Sequence, residues 1–342
     1  MPNQAPVRTA EDGSHFRNLN QIYSLVRDFC RSENLHFCHN IPSDLEEIKT
    51  DKIFYFWFGD MPSLTAWQQF DDNLTLHSKR AVAITDSIVE YKEYQSLTLF
   101  SCPDLLGLYF MHRPGASQLS LYDPKKLFNC FMQRIESVRQ SWFYFLYLNQ
   151  LIDKGYVSFL LYQINNYNTL VGGKLFEYIH YTYQLDKLPH FDYAYHHLKT
   201  LVPYKNFAET GSLESLIMDS KYSLILEGEA PDDDIGSWTF TEKVLRAVQY
   251  PCLNLFFVQR GAINKLEQLG FRMTLDIGTI DQLPWQQRQQ HLLNYLSNDS
   301  STIDLSHQIE VAEHNQNLLQ SWYGDVMSPK YFDKFFTKIL EI

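Results

Sequence analysis

The sequence predicts an α/β fold of two Rossmann-like domains facing a cleft, with a helical C-terminal tail. Three observations predict it. Short apolar runs fit for buried strands alternate with stretches of helical spacing; the alternation restarts after the turn-rich His112-Arg113-Pro114-Gly115; and about the last 60 residues show helical spacing only. With 342 residues, 45% hydrophobic and 15% aromatic, the chain has enough apolar material for roughly two domains.

Phe16 to Cys30 carries Leu19, Ile22, Tyr23, Val26 and Cys30 at helical spacing. Ile53-Phe54-Tyr55-Phe56-Trp57-Phe58 is an aromatic run suited to a buried strand, ending at Gly59-Asp60. Arg80 to Ile84 and Leu97 to Phe100 read as strands around a helical Asp86 to Tyr94. A boundary near Tyr122-Asp123-Pro124 closes a first domain over residues 1–122. Lys126 to Phe131 opens the second alternation as a strand. Glu136 to Leu151 follows as a long aromatic helix closed by Asp153-Lys154-Gly155, and Tyr156 to Leu161 is the next strand. Lys221 to Leu226 and Cys252 to Val258 read as strands, with a helix from Thr241 to Gln249 between them and a short one, Gly261 to Leu269, after them. Residues 123–280 thus form the second domain and 281–342 a helical segment. In that segment Tyr331, Phe332, Phe335, Phe336, Ile339 and Leu340 make an apolar stripe that must dock on something.

Composition narrows the function classes. A formal charge of -11 disfavours nucleic acid as a partner, because phosphate binding draws its affinity from a basic surface. The longest apolar runs fall short of the about 18 residues that span a bilayer, and the N-terminus has no basic segment followed by an apolar one, so the expected address is cytoplasmic. Five scattered cysteines without a Cys-x-x-Cys pair suit reduced thiols used in packing.

The chemistry concentrates between Lys221 and Ala247. A strand ends in Glu227, an acidic loop follows, and Thr241-Glu242-Lys243 opens a helix. Thr239-Phe240-Thr241-Glu242 fits a capping box, which needs no ligand. Lys243 points the other way, since the first turn of a helix disfavours a cation unless an anion shares it. A diphosphate would be such an anion, and a neighbouring carboxylate can accept ribose hydroxyls.

Lys221-Tyr222-Ser223-Leu224-Ile225-Leu226-Glu227 followed by Phe240-Thr241-Glu242-Lys243 resembles elements of the α-1,3-fucosyltransferases, and more closely those of phage and bacterial exostosin-like glycosyltransferases. Tyr250-Pro251-Cys252, Gly261 and Leu266-Glu267-Gln268-Leu269-Gly270-Phe271 match that wider group in order, and Phe131-Met132-Gln133-Arg134 through Val138-Arg139 is similar to its upstream strand and basic segment. The resemblance spans roughly Lys126 to Phe271. It implies a GT-B type glycosyltransferase whose first domain selects a glycan-type or other hydroxyl acceptor and whose second binds a nucleoside diphosphate sugar. It also implies an inverting, metal-independent reaction with no cofactor beyond the donor substrate. Carried over, Glu242 lies at the ribose, Lys243 and Arg139 at the diphosphate, and Glu227 at the sugar or the site floor; Thr241 joins the donor-binding candidates, and Arg134 is a further cation for the phosphate charge. Two segments depart from the group: the insertion-like Glu229 to Asp234, and Arg272 to Gly278, which lacks the acidic ending its members often show.

A carboxylate across the cleft would take the proton of the incoming hydroxyl. Asp60, at the end of the aromatic strand, is the candidate, with a plain turn residue as the alternative. Asp232-Asp233-Asp234 reads as a solvated acidic loop rather than a cation site, and His36, Cys38 and His39 lack a second ligand pair. Trp142 to Tyr147, apolar on nearly every face, reads as a buried helix rather than a sugar platform. Two rivals stay open: a non-catalytic carbohydrate-binding or scaffolding descendant, and a phage-type enzyme glycosylating DNA bases.

Overall fold

A computed structural model describes residues 14–38, 45–57, 64–89, 92–109, 119, 122–132, 138–139, 142, 145–146, 149–159, 213–227, 237–299, 304–328 and 330–342. The chain is α/β, with two four-stranded parallel sheets among the described residues. It forms two compact units. One comprises residues 1–113, 234–246 and 314–342, the other 114–233 and 247–313.

The sheet of the first unit runs β1 (His36–Cys38), β2 (Lys52–Trp57), β3 (Arg80–Thr85), β5 (Leu97–Ser101), all parallel. Ile53, Phe54, Tyr55 and Phe56 are fully buried, and burial on both faces is why this strand reads as an unbroken apolar run. Alternate residues serve two cores. Phe54, Phe56, Val82 and Ile84 pack with Ile22, Val26 and Cys30 of α1 (Ser14–Ser32). Ile53, Tyr55, Ala81 and Ala83 pack with Trp67, Phe70 and Leu74 of α2 (Leu64–Leu76), the crossover between β2 and β3.

The C-terminal stripe finds its dock on the first of these faces. Phe332, Phe335 and Ile339 join the core of Phe54 and Phe56, so the terminal helix Asp333–Glu341 belongs to the unit built by the N-terminal strands. Lys52 Nζ donates to Leu340 O at 2.9 Å, placing a cation on the last turn of that helix, and Arg80 Nη1 donates to O of Ile342, the residue after it, at 3.1 Å.

The helix expected over Asp86 to Tyr94 is overturned. Asp86 and Ser87 turn the chain at the end of β3, and β4 (Ile88–Val89) pairs antiparallel with β9 (Ser237–Trp238). Two β-branched residues suit a strand, and serine hydroxyls offer the backbone a non-helical alternative. Ser101 Oγ donates to Ser87 O at 2.7 Å and accepts from the Val89 amide at 3.3 Å.

The second sheet has the order β10 (Leu253–Phe257), β8 (Ser220–Leu226), β6 (Lys126–Met132), β7 (Gly155–Phe159), again parallel. The chain runs from β6 outward to β7, then returns past β6 to β8 and β10, so the strand order reverses between β6 and β8. One face carries Phe128, Cys130, Met132, Tyr222, Leu224, Leu226, Leu253, Leu255 and Phe257. It packs on the helical residues Val138, Trp142 and Leu146, at i, i+4 and i+8, and on Leu292, Leu293 and Leu296 of the helix Trp285–Asn298. Trp142 is fully buried, which makes it a core side chain and not a sugar platform.

Gly155 does not close that helix, as its position suggested. Asn149 and Gln150 form a turn in which Gln150 has a left-handed φ of 55°, and Leu151 N then donates back to Leu146 O. Gly155 instead opens β7 opposite Phe128, where a Cβ would lie 2.6 Å from the Phe128 ring. The helix expected over Thr241 to Gln249 is also shorter, spanning Glu242–Ala247.

In the same unit Asp281 sets a measurable pH dependence. Its Oδ2 accepts the Ile263 amide at 3.0 Å at the start of the helix Ala262–Gln268, and it is 3% exposed. Burial raises its pKa from 3.8 to about 6, with Arg288 and nearby amides opposing the rise. The folded state therefore binds this proton more tightly than the unfolded chain. The contribution of this group to stability is full below about pH 4 and falls as pH rises to about 6, by about 3 kcal/mol in all. Urea denaturation of Asp281→Asn beside the natural chain checks the sign: the stability of the variant relative to the natural chain rises by about that amount between pH 4 and 7.

Candidate functional site

The segment carrying Thr241, Glu242 and Lys243 belongs to the first unit, held by the β4–β9 ribbon at the end of β3. Trp238 and Phe240 are buried and pin the segment on either side of Thr239. Thr239 Oγ1 lies 3.0 Å from Ser87 Oγ, and the helix begins at Glu242, so Thr239 is not in the capping position the expected box requires. The cap is Thr241: its hydroxyl accepts the Lys243 amide at 3.3 Å, two residues on, and Glu242 opens the helix rather than standing at its third position.

Lys243 Nζ lies 3.6 Å from Glu242 Oε1, and their side chains are 24% and 44% exposed. Burial by itself would raise the Glu242 pKa, but Lys243, the local amide and Arg246 outweigh it and hold the carboxylate below its ordinary value. The anion that offsets Lys243 in this structure is thus the preceding glutamate. A helix of six residues carries only a short run of aligned dipoles, so attraction for a phosphate here rests on the Lys243 ammonium more than on helix amides. The turn presents one cation and one ionised carboxylate side by side, both reachable from solvent.

Arg139 and Glu227 belong to the second unit. Glu227 directly follows β8, half-buried, with its amide donating to Phe257 O at 3.2 Å, so it stands at the C-terminal edge of the sheet beside the reversal of strand order. In open α/β sheets ligands bind outside the carboxyl ends of strands at such a reversal. Arg139 lies in the helical residues after β6 and is 2% exposed. Burial pushes the Cys130 thiol up to about 12, and the Arg139 charge opposes that rise, which places the guanidinium near β6. Its charge therefore acts from within the unit and not from the surface.

Asp60, Arg134 and the Asp232 to Asp234 loop lie outside the described residues, as does His39. Cys38 is buried in β1, while burial first and Lys79 second lower the His36 pKa. Among the described residues no group of three His, Cys, Asp or Glu side chains is arranged to hold a metal ion. The five cysteines are free and buried, and burial lifts each thiol to about 12, which makes them poor nucleophiles. No described helix is long and apolar enough to cross a membrane.

Thr85, Asp86 and Ser87, all fully buried at the end of β3, escaped the sequence reading. The run of hydroxyl, carboxylate and hydroxyl after an apolar strand was the available signal, and the helical assignment of Asp86 to Tyr94 obscured it. No family model matches the chain, nor does any curated protein or solved structure.

Proposed function

We propose that the chain is a glycosyltransferase of GT-B type that moves a sugar from a nucleoside diphosphate sugar to a hydroxyl of a glycan-type acceptor, with inversion and without a metal. The observation that carries the reading is the second sheet: four parallel strands whose order reverses between β6 and β8, with Glu227 at the carboxyl end of β8. The turn Thr241-Glu242-Lys243 supports it, with an accessible ammonium beside an ionised carboxylate. So does the ordered resemblance to the exostosin-like and fucosyltransferase motifs.

In this reading Glu242 accepts ribose hydroxyls and Lys243 meets the diphosphate. As the glycosidic bond breaks, negative charge grows on the phosphate oxygens, and a fixed ammonium that strengthens its interaction there lowers the barrier. The resemblance gives Glu227, at the end of β8 in the second unit, a role toward the sugar, and Asp60 is proposed to take the acceptor proton.

Calorimetric titration with UDP, GDP, CDP and TDP tests the donor site. The natural chain binds at least one of them, and Lys243→Ala weakens that binding about tenfold to a hundredfold, the loss of one charge-assisted phosphate contact. Unchanged affinity in the variant sinks the assignment of Lys243, and absence of binding to all four sinks the donor site.

A further inference from the structure

The end of β3 is built as an anchor for a segment that lies far away in sequence. Thr85, Asp86 and Ser87 are fully buried, and the Ser87 amide donates to Thr85 Oγ1 at 3.2 Å, which fixes the turn. Ser101 Oγ donates to Ser87 O at 2.7 Å and closes it from β5. Three links then join this corner to the chain before Thr241: the pairs Ile88 with Trp238 and Val89 with Ser237, and the 3.0 Å contact between the Ser87 and Thr239 hydroxyls. Two residues after Thr239, the Thr241 hydroxyl accepts the Lys243 amide. A ribbon of two residues per strand is marginal by itself, and the hydroxyl pair joins the buried Trp238 and Phe240 in fixing this segment.

We propose that Ser87 and Thr239 are a positioning pair for the donor site: they hold the Thr241-Glu242-Lys243 turn in the conformation that receives the nucleoside diphosphate. This rests on the reading of that turn as a donor site. Neither residue touches the ligand, and both act through the backbone of residues 240–243. The consequence for binding is pre-organisation, since a turn already fixed has less conformational freedom to lose when the diphosphate arrives.

The test measures UDP, GDP, CDP and TDP affinities and thermal unfolding for the natural chain, Ser87→Ala, Thr239→Ala, the double variant and Thr239→Ser. Thr239→Ala is expected to weaken nucleotide binding about fivefold to tenfold, with Thr239→Ser restoring it to within about twofold, and the double variant no weaker than the worse single one. Thr239→Ala placed in a Lys243→Ala background should then cost little further affinity, because its effect runs through that turn. Faster hydrogen exchange at the Lys243 amide in Thr239→Ala supplies a readout that needs no ligand. If the natural chain binds a nucleotide and Thr239→Ala lowers only the melting temperature, the pair is structural and the proposal fails. If the natural chain binds none of the four, the donor-site reading fails and the positioning role falls with it.

Discussion

Phe335→Ala should destabilise the first unit by about 4 kcal/mol in urea denaturation, the loss expected when a fully buried aromatic side chain leaves a cavity. Phe335 is 1% exposed and its ring meets Phe100 at 5.1 Å, Tyr331 at 5.9 Å and Phe332 at 6.1 Å. It lies in the same core as Phe54, Phe56, Val82 and Ile84, so the change opens the contact between the terminal helix and the first sheet. Leu340→Ala is the internal comparison. Leu340 belongs to the same sequence stripe but is 48% exposed, and its loss should fall within about 0.5 kcal/mol. Similar costs for the two variants would show that the helix does not pack by the face described.

The stripe illustrates which parts of the fold were legible. Its existence follows from the i, i+4 spacing of aromatic residues, a local pattern. Its partner does not, because nothing local in residues 331–340 encodes contact with Phe54 and Phe56. The strands Ile53 to Phe56 and Lys221 to Leu226 were legible for a related reason: burial on both faces leaves an unbroken apolar run in the first and in Leu224 to Leu226 of the second. β4 and β9 were not. Each has two residues, too few for a period to show, and each exists through a partner in a separate stretch of chain. Gly155 is similar: its position after a helix suggested a stop signal, whereas its requirement comes from the Phe128 ring across the sheet.

The candidate site was legible in residue type more than in arrangement. Thr241, Glu242 and Lys243 do stand together as a capped turn, but the sequence could not say that Thr239 is occupied by Ser87 or that Glu242 supplies the anion beside Lys243. The resemblance implies a place at the diphosphate for Arg139. Its burial to 2% exposure was not legible, because helical phase, which a short segment leaves undetermined, decides how far a side chain is exposed.

Asp71→Ala should cost the first unit about 4 kcal/mol by the same measurement, although the residue lies on a helix whose sequence looks ordinary. The Asp71 carboxylate is 4% exposed and accepts three backbone amides at the entrance to β5: Gln95 at 3.0 Å, Ser96 at 2.7 Å and Leu97 at 2.9 Å. Alanine leaves all three donors without this acceptor, and hydrogen bonds to a charged group contribute about 1.5 to 3 kcal/mol each, with neighbouring bonds adding less than independently. Asp71→Asn keeps a single carbonyl oxygen and turns the other atom into a donor facing an amide, so it should recover only part of the loss, on the order of 1 to 2 kcal/mol. An asparagine variant as stable as the natural chain would mean that one acceptor suffices at the strand entrance, whereas an equally stable alanine variant would mean that the sheet ladder alone holds it. The effect should extend to the end of β5 as well. Ser101 at the end of that strand closes the Ser87 turn, so a loosened β5 should also speed hydrogen exchange at the Val89 amide, which donates to Ser101 Oγ.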